Sequence, residues 1–266
     1  MVGVAAGVRR LVTSIIDTGS GLAIVMAHGM ELDHRLFDAQ VAALSGSFRT
    51  IAYDLRARSA RGEQSYDLYD LVDDLIRLLD DRGIDRCVLV GMSMGGFMAV
   101  RAAHRHPDRI AGLVLIGSAG VPYSREDIVQ WSPAYEAVRD LPRLPPAQAR
   151  ADAELHFSLR TRRLRPELVD LWTDRIAERS GTATYHEYRS WAQQDDLSTR
   201  LGMIKAPTLI VHGDEDTAVP LSMALETHAR ISHSRLMVLP YAAHAVNLEY
   251  PDIVSDAIRA LPSVIT

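Results

Sequence analysis

The sequence contains a single cysteine, Cys87, in 266 residues. One cysteine excludes an internal disulfide, and it is compatible with the reducing cytoplasm in which we expect this chain to work. Lysine is almost absent too, because Lys205 is the only one beside many arginines. Together with the many alanines, this composition is typical of a GC-rich bacterial genome.

Long apolar runs and blocks of positive charge are also missing. No stretch approaches the ~20 apolar residues that a membrane-spanning helix requires. The first residues are too briefly apolar for a secretory signal, since Arg9 and Arg10 interrupt them. A net charge of −5 without a basic block argues against nucleic acid as a partner. We therefore expect a small-molecule substrate and neither a membrane nor a nucleic-acid partner, and the sequence does not indicate the oligomeric state.

Short apolar runs alternate with helical patterns in the first half of the chain. The runs have the composition of strands buried on both faces, and they cover residues 22–27, 48–53, 86–90 and 110–116. The spacing of apolar residues between them predicts helices over residues 35–44, 66–81 and 94–106. This alternation indicates an α/β fold with a mostly parallel central sheet and helices on both faces.

The alternation stops near residue 120 and resumes near residue 204. The intervening stretch shows no convincing strand and is punctuated by prolines, and its helical patterns lie near residues 129–139, 146–159, 166–179 and 185–194. Strands are again predicted over residues 208–211 and 235–239. We therefore expect an α/β core formed by residues 1–120 and 204–266. Residues 121–203 are predicted to be a helical cap, inserted after the strand that ends near Gly117.

The segment from Gly91 to Gly95, with the sequence Gly-Met-Ser-Met-Gly, joins a predicted buried strand directly to a predicted helix. So tight a turn brings neighbouring backbones together, and glycine leaves room where a Cβ would clash. Ser93 at the apex is held outside both elements, beside the helix N-terminus. This arrangement is a nucleophile elbow. It predicts Ser93 as a nucleophile, and the alternative is a serine that only caps a helix.

Ligands bind beyond the carboxyl ends of the strands in an open parallel sheet. A serine nucleophile there needs a base to accept its proton and a carboxylate to orient that base. The chain supplies Ser93, an acidic cluster at residues 214–216 and then His244, in the order that this sheet arrangement requires. Of the 10 histidines, His244 alone falls in the loop after the last predicted strand.

These motifs resemble those of the α/β-hydrolase-fold superfamily, and in particular its capped serine hydrolases of the esterase and lactonase type. The resemblance extends over nearly the whole chain, through Thr18–Gly21, His28-Gly29, Gly91–Gly96, His106–Ile110, His212–Pro220, His244 and Glu249–Pro251. It is specific for the superfamily and not for a substrate. The family pattern Gly-x-x-Asp-x-x-Val-Pro matches Gly213 to Pro220 and implies Asp216 as the acid. Asp214 is the alternative.

The resemblance also implies an oxyanion hole built from two backbone N–H groups, because developing negative charge needs donors already in place. One belongs to Met94, directly after the nucleophile, and the other to Met30, directly after His28-Gly29. The departures from the family pattern remove no catalytic group, so they affect substrate preference more than the ability to catalyse the reaction. Residues 54–59 lack the usual glycines, Ala243 replaces a glycine before His244, and Met92 replaces a frequent histidine.

The sequence gives the least information about which residues form the substrate pocket. We predict that His28 and Met92 lie beside it, and that Trp131, Tyr185 and Trp191 of the cap line it. Packing between cap and core is the alternative for the aromatic residues. The arginines among residues 160–165 could meet a substrate carboxylate, or they form a solvated face paired with nearby acids.

The expected activity is hydrolysis of a small or medium-sized carboxylic ester or lactone through a Ser-His-Asp triad and an acyl-enzyme. We expect neither a metal nor a cofactor. Carbon–carbon bond hydrolysis, thioester hydrolysis and acyl transfer remain alternatives, because those families use the same triad. A ligand-binding or signalling protein with a residual triad is a rival of another class. Ser93 excludes the branches that use an aspartate nucleophile.

Overall fold

Seven strands form one central sheet in the computed structural model, which describes residues 14–261. In chain order they are β1 (Ile15–Thr18), β2 (Ala23–Ala27), β3 (Arg49–Tyr53), β4 (Cys87–Met92), β5 (Ile110–Ile116), β6 (Thr208–Gly213) and β7 (Ser234–Leu239). Across the sheet they run β1-β3-β2-β4-β5-β6-β7. Only the β1–β3 pair is antiparallel among the described strands, so the predicted mostly parallel sheet is confirmed. The interpretation about a secretory signal concerns residues outside the described range.

The central strands are buried along their whole length, because apolar side chains cover both of their faces. In β4, Leu89 belongs to one apolar cluster and its neighbours Val88 and Val90 belong to another. This period of two is the geometry of a strand whose successive side chains point to opposite faces. The near-continuous apolar runs in the sequence therefore reflect one core on each side of the sheet.

Helices cover both faces of the sheet. They are α1 (Asp38–Leu44), α2 (Leu68–Asp81), α3 (Met94–Arg105), α4 (Arg125–Val138), α5 (Pro146–Leu155), α6 (Leu159–Leu164), α7 (Pro166–Ala177), α8 (Gly181–Ala192), α9 (Leu221–Arg230), α10 (Val246–Glu249) and α11 (Pro251–Ala260). Helices α2 and α3 pack together on one side of the sheet, and α1 and α11 on the other. Within residues 14–261, no helix is long and apolar enough to pass through a lipid bilayer.

The segment between β5 and β6 contains helices α4 to α8 and no strand. Sequence spacing predicted four helices here, and the structure adds the short α6. Ser158 separates it from α5, because its hydroxyl accepts a hydrogen bond from the backbone N–H of Thr161 and starts a new helix. Pro146 and Pro166 occupy first turns, where proline is tolerated because that N–H has no helical partner.

Candidate active site

Ser93 lies between the end of β4 and the start of α3, with a backbone φ of +50°. A side chain rarely adopts this left-handed conformation, so surrounding contacts must hold it. The Ser93 N–H donates to the carbonyl oxygen of Ile116 (3.0 Å). Its own carbonyl oxygen accepts from the Gly96 N–H and from the Ser118 hydroxyl, both at 2.8 Å. The serine is therefore fixed at the carboxyl end of the sheet.

The two glycines of the elbow allow the helix to pass close to the sheet. A Cβ on Gly91 would lie 2.3 Å from the carbonyl oxygen of Gly95, and a Cβ on Gly95 would lie 2.3 Å from that of Ala27. Neither contact is possible for another residue without moving backbone. This is the close approach expected from the sequence.

Asp216 and His244 form a buried hydrogen-bonded pair. The distance from His244 Nδ1 to Asp216 Oδ2 is 2.8 Å, and the other carboxylate oxygen accepts from the N–H groups of Ala218 and Val219, both at 2.9 Å. Burial raises the pKa of Asp216, but the charge and hydrogen bond of His244 outweigh it, so the pKa lies below its usual value. Asp216 is therefore an ionised acceptor that can orient the His244 ring.

His212 braces the same carboxylate. Its Nε2 lies 2.8 Å from the carbonyl oxygen of Val219 and 3.3 Å from Asp216 Oδ2. Burial lowers the pKa of His212, which keeps the ring neutral at pH 7 with its Nε2–H donated to these oxygens. His212 thus acts as a brace for the acid loop, as expected for a histidine at a strand end.

The loop after β2 brings Met30 beside the elbow. A Cβ on Gly29 would lie 3.0 Å from the Ser93 Cβ, which shows how closely this loop passes. His28 holds the loop in place: its Nδ1 lies 2.7 Å from the Gly29 oxygen, and its Nε2 accepts from the Leu55 N–H at 2.9 Å. Burial lowers the pKa of His28 to about 4, so this bracing ring is neutral.

Met94 lies on the other side of Ser93, at the first position of α3. The first N–H groups of a helix have no intrahelical partner, and they lie at the positive end of its dipole. The N–H groups of Met30 and Met94 therefore belong to two backbone segments that both flank the serine. This is the arrangement that a pair of oxyanion donors requires.

A cavity of about 130 Å³ lies beside Ser93 and His244. Ser93 and His244 line it, together with both predicted oxyanion residues and two predicted cap residues, Trp131 and Trp191. The Trp191 indole N–H contacts the Met30 sulfur at 3.2 Å, which ties the helical segment to the loop after β2. The structure thus brings together six of the ten residues assigned to the site or its pocket, and Asp216 joins them through His244.

Three predicted pocket residues do not line this cavity, and the expectation is corrected for them. His28 is fully buried behind the Gly29 backbone, where it braces the loop. The Met92 side chain points to the opposite face of the sheet and packs in the core with Val90, because strand side chains alternate. Tyr185 turns its hydroxyl toward Glu136, at 3.2 Å.

The cavity also contains residues that sequence reasoning missed: Glu31, Phe97, Tyr123, Tyr135, Asp152 and His156. Phe97 lies one helical turn after Ser93, so the helical period could have found it. Glu31 directly follows Met30, which was another available signal. The remaining four come from the helical segment and the loop leading into it. No sequence pattern indicates which side of those helices faces Ser93.

Glu249 connects the loop carrying His244 to the helical segment. One carboxylate oxygen accepts from the N–H and the hydroxyl of Ser158, at 2.9 and 2.6 Å. The other accepts from the N–H of Ala243 at 2.6 Å. The position of His244 is therefore coupled to the segment between β5 and β6.

Residues 14–261 contain few side chains that could support metal or thiol chemistry. No group of three or more histidine, cysteine, aspartate or glutamate side chains in that range is arranged to hold a metal ion. Cys87 is buried in β4, and burial raises the pKa of its thiol to about 12. Such a thiol is inert at neutral pH.

Comparison with known proteins identifies the family of the chain. The alpha/beta hydrolase fold family matches residues 23–251, which is most of the sequence. The chain belongs to this family. As a member it is a hydrolase of the α/β-hydrolase superfamily, and the fold predicted from the sequence motifs is confirmed.

The similar proteins align with this chain over most of its length and most of their own. A thermophilic esterase from Thermogutta terrifontis superposes with a TM-score of 0.89, at 28% identity, over 98% of this chain and 99% of its own. The enol-lactonase from Burkholderia xenovorans gives a TM-score of 0.85 at 25% identity, over 94% of this chain and 96% of its own. The AB hydrolase superfamily protein YisY of Bacillus subtilis is 28% identical, over 91% of this chain and 92% of the relative.

Proposed function

We propose that this α/β-hydrolase cleaves a small or medium-sized carboxylic ester or lactone through Ser93, His244 and Asp216. The observation that carries the proposal is one shared cavity. Ser93 and His244 both line it, and His244 is held from behind by Asp216 at 2.8 Å. A nucleophile, a base and an acid that orients the base are the minimum set for acyl transfer.

Acylation would begin with the hydrogen bond between His244 Nδ1–H and Asp216, which leaves Nε2 free to accept a proton. Nε2 takes the proton of the Ser93 hydroxyl as Oγ bonds to the substrate carbonyl carbon. The N–H groups of Met30 and Met94 stabilise the negative charge on the carbonyl oxygen. Collapse breaks the bond to the alcohol oxygen, which leaves with the proton carried by His244.

Deacylation would repeat these steps with water. Water gives a proton to His244 Nε2 and attacks the acyl carbon, and the bond from that carbon to Ser93 Oγ then breaks. Ser93 recovers its proton from His244. The products are an acid and an alcohol, or a hydroxy acid when the substrate is a lactone.

We propose that residues 121–203 act as a cap on a core formed by residues 1–120 and 204–266. Trp131, Asp152, His156 and Trp191 support this, because they belong to the helical segment and line the cavity that also contains Ser93. A cap of this kind excludes water and selects the substrate. The predicted cytoplasmic location and bacterial source stay predictions.

Family membership does not choose between an ester bond and the alternative bonds. An ester or lactone is favoured by the likeness to an esterase and an enol-lactonase. Thioester hydrolysis, carbon–carbon bond hydrolysis and acyl transfer would use the same residues, so only the choice of substrate distinguishes them. The arginines of residues 160–165 do not line the cavity. Arg162 instead pairs with Glu154.

The test is hydrolysis of a panel of short-chain esters and lactones by the wild type and by Ser93→Ala. We expect the variant to lose about 10⁶-fold in turnover, as when the nucleophile of a serine triad is removed. Ser222→Ala, at an exposed position of α9, is the matched control and should keep full activity. Hydrolysis that survives in Ser93→Ala would sink the proposal.

Covalent labelling separates an enzyme from a binding protein. A fluorophosphonate probe should label Ser93 in the wild type and in Ser222→Ala, and it should not label Ser93→Ala. No labelling of the wild type, together with tight binding of a small molecule, would favour the ligand-binding alternative.

A further inference from the structure

Two buried carboxyl groups, Glu31 and Asp152, meet in the wall of the cavity that contains Ser93. Glu31 follows β2 directly after Met30, and Asp152 comes from α5 in the helical segment. Only 4% of Glu31 and 5% of Asp152 is exposed. Acids so deeply buried are rare in proteins unless something pairs with them.

The two carboxyl groups hydrogen-bond to each other, and this requires a proton between them. Burial raises the pKa of Glu31 well above its usual value, and the charges of Asp152 and Glu187 raise it further. Burial also raises the pKa of Asp152, to about 6. Two carboxyl groups that share one proton carry one negative charge between them.

Arg58 lies near the pair, and its charge lowers the pKa of Glu31 in part. Arg58 Nη2 is engaged with Glu187 at 2.5 Å, and Glu187 also accepts from the backbone N–H of Glu31. Arg179 Nη2 binds Asp33 at 2.6 Å. Its Nε donates to the main-chain oxygen of Glu31 and not to the carboxyl group.

On the Asp152 side, the neighbours are neutral. Gln148 donates its amide to one oxygen of Asp152 at 2.7 Å. Burial lowers the pKa of the nearby His156 to about 3, so that ring carries no charge at neutral pH. Within residues 14–261, one oxygen of Glu31 and one of Asp152 have no hydrogen-bond donor besides the shared proton. No arginine or lysine is found among the described residues that line the cavity.

Aromatic rings form much of the remaining wall. Tyr123 packs against Trp131 and Trp191 with centroid distances of 4.9 and 5.2 Å, and Tyr135 also lines the cavity. An apolar wall makes a lone buried carboxylate costly. The same rings attract cations through their π faces. A positive group is therefore the complement that this part of the cavity lacks.

We propose that the Glu31–Asp152 pair is a subsite for a positively charged nitrogen of the substrate, so that the enzyme selects esters carrying a protonated amine. The inference rests on the proposed function for the reaction and adds the substrate class. A protonated amine would approach the carboxyl pair from the cavity and lie against the aromatic rings. A substrate carboxylate would instead be repelled by the pair.

The test uses substrate pairs of equal shape that differ in one charge. For the alcohol side they are 2-(dimethylamino)ethyl butanoate and 3-methylbutyl butanoate, and for the acyl side ethyl 5-(dimethylamino)pentanoate and ethyl 6-methylheptanoate. At pH 8 we expect kcat/KM to favour the amine in at least one pair by about 10- to 100-fold, as for a charge-assisted hydrogen bond. Neutral esters that equal or outperform the amines in both pairs would overturn the inference.

The pH dependence of the amine preference and a double variant provide two further tests. The ratio of kcat/KM within a substrate pair is independent of any pH effect that both substrates share. The ratio should fall toward one below about pH 6, as the carboxyl pair gains its second proton. The double variant Glu31→Gln with Asp152→Asn should lose the preference at pH 8, so that kcat/KM falls by about 10-fold more for the amine than for the neutral ester. Asp170→Asn, an exposed carboxylate of α7, is the control. A variant that loses both substrates equally would indicate a merely structural pair.

Binding to Ser93→Ala separates this inference from the proposed function. Calorimetry should detect 3-methylbutylammonium and give at least about 10-fold weaker binding of 3-methylbutan-1-ol. If the amine binds but the wild type cleaves no ester, the proposed reaction is wrong and the subsite stands. If esters are cleaved without amine preference and the amine does not bind, the subsite is wrong and the reaction stands.

Discussion

The imidazole rings of His156 and His244 stack nearly parallel, with centroids 5.6 Å apart and 15° between their planes. The carbonyl oxygen of His156 also accepts from the N–H of Ala245 at 2.8 Å. Burial lowers the pKa of His156 to about 3, and the nearby His244 contributes in the same direction. The helical segment thus places a flat, uncharged surface against the proposed catalytic base.

Replacing His156 tests whether that surface positions His244. His156→Phe keeps a flat neutral ring, so kcat/KM should stay within about 3-fold and its pH profile should not change. His156→Ala removes the surface, and a misplaced base lowers kcat by about 10- to 100-fold with little effect on KM. Steady-state kinetics between pH 5 and 9 check both variants. A shifted pH profile in His156→Phe would contradict a purely packing role.

The choice between Asp216 and Asp214 as the acid can be tested directly. Asp216 is buried against His244, whereas Asp214 is exposed on the same loop. Asp216→Asn should lower kcat by about 10⁴-fold, since the amide no longer favours the tautomer that leaves Nε2 free. Asp214→Asn is the matched control and should retain wild-type kcat. The reverse pattern would make Asp214 the acid.

Gly117 packs against the proposed triad and should not tolerate a side chain. It has a φ of +49°, and a Cβ there would lie 2.5 Å from the carbonyl oxygen of His244. Gly83 has a similar φ of +61° with open space around it, which makes it a control for strain alone. Gly83→Ala should lower the free energy of unfolding by about 1–2 kcal/mol and leave kcat unchanged.

Gly117→Ala should carry the same strain and also displace the His244 backbone. We therefore expect a larger loss of unfolding free energy than in Gly83→Ala, together with a drop in kcat. Urea denaturation and ester hydrolysis measure the two effects. Equal stability and full activity in both variants would mean that the His244 loop moves aside without consequence.

Asp33 links the helical segment to the core and should make stability depend on pH. Its carboxylate binds Arg35 and Arg179, both at 2.6 Å. Burial raises the pKa of Asp33, but these guanidinium groups outweigh it and hold the pKa well below its usual value. A depressed folded-state pKa gives a stabilisation that is present above the unfolded-state value of about 3.9 and is lost as pH falls below it.

Asp33→Asn should therefore lower the free energy of unfolding by about 1–3 kcal/mol at pH 7. The difference from the wild type should shrink from about pH 5 downward, as the Asp33 carboxylate of the unfolded chain takes up a proton. Asp140→Asn removes a carboxylate that is 84% exposed and serves as the control, with little effect expected at any pH. A difference that stays constant down to pH 3 would contradict the ionic role of Asp33.

Local sequence patterns were sufficient to predict those parts of the site that are formed by residues adjacent in the chain. The elbow around Ser93 could be predicted because strand, glycines and helix are contiguous, and sheet topology then required an acid and a base at later strand ends. The same reasoning failed for Met92. It is adjacent to Ser93 in sequence, yet its side chain belongs to the opposite face of the sheet.

The pocket depended on contacts that no local pattern contains. Trp131 and Tyr185 were equal candidates in the sequence, but only Trp131 lines the cavity. Their helices differ in how they turn toward the core, and packing between distant elements determines that rotation. The pairing of Glu31 with Asp152 likewise joins residues from β2's loop and α5 that are remote in the chain.

The sequence by itself determined the α/β-hydrolase fold and the candidate triad, because alternating hydrophobicity and short glycine motifs act over a few residues. Only the tertiary structure decided what surrounds Ser93. It stacked His156 on His244 and placed two carboxyl groups in an aromatic cavity. Those properties depend on which faces of separate helices meet, and on the raised cost of charge once water is excluded between them.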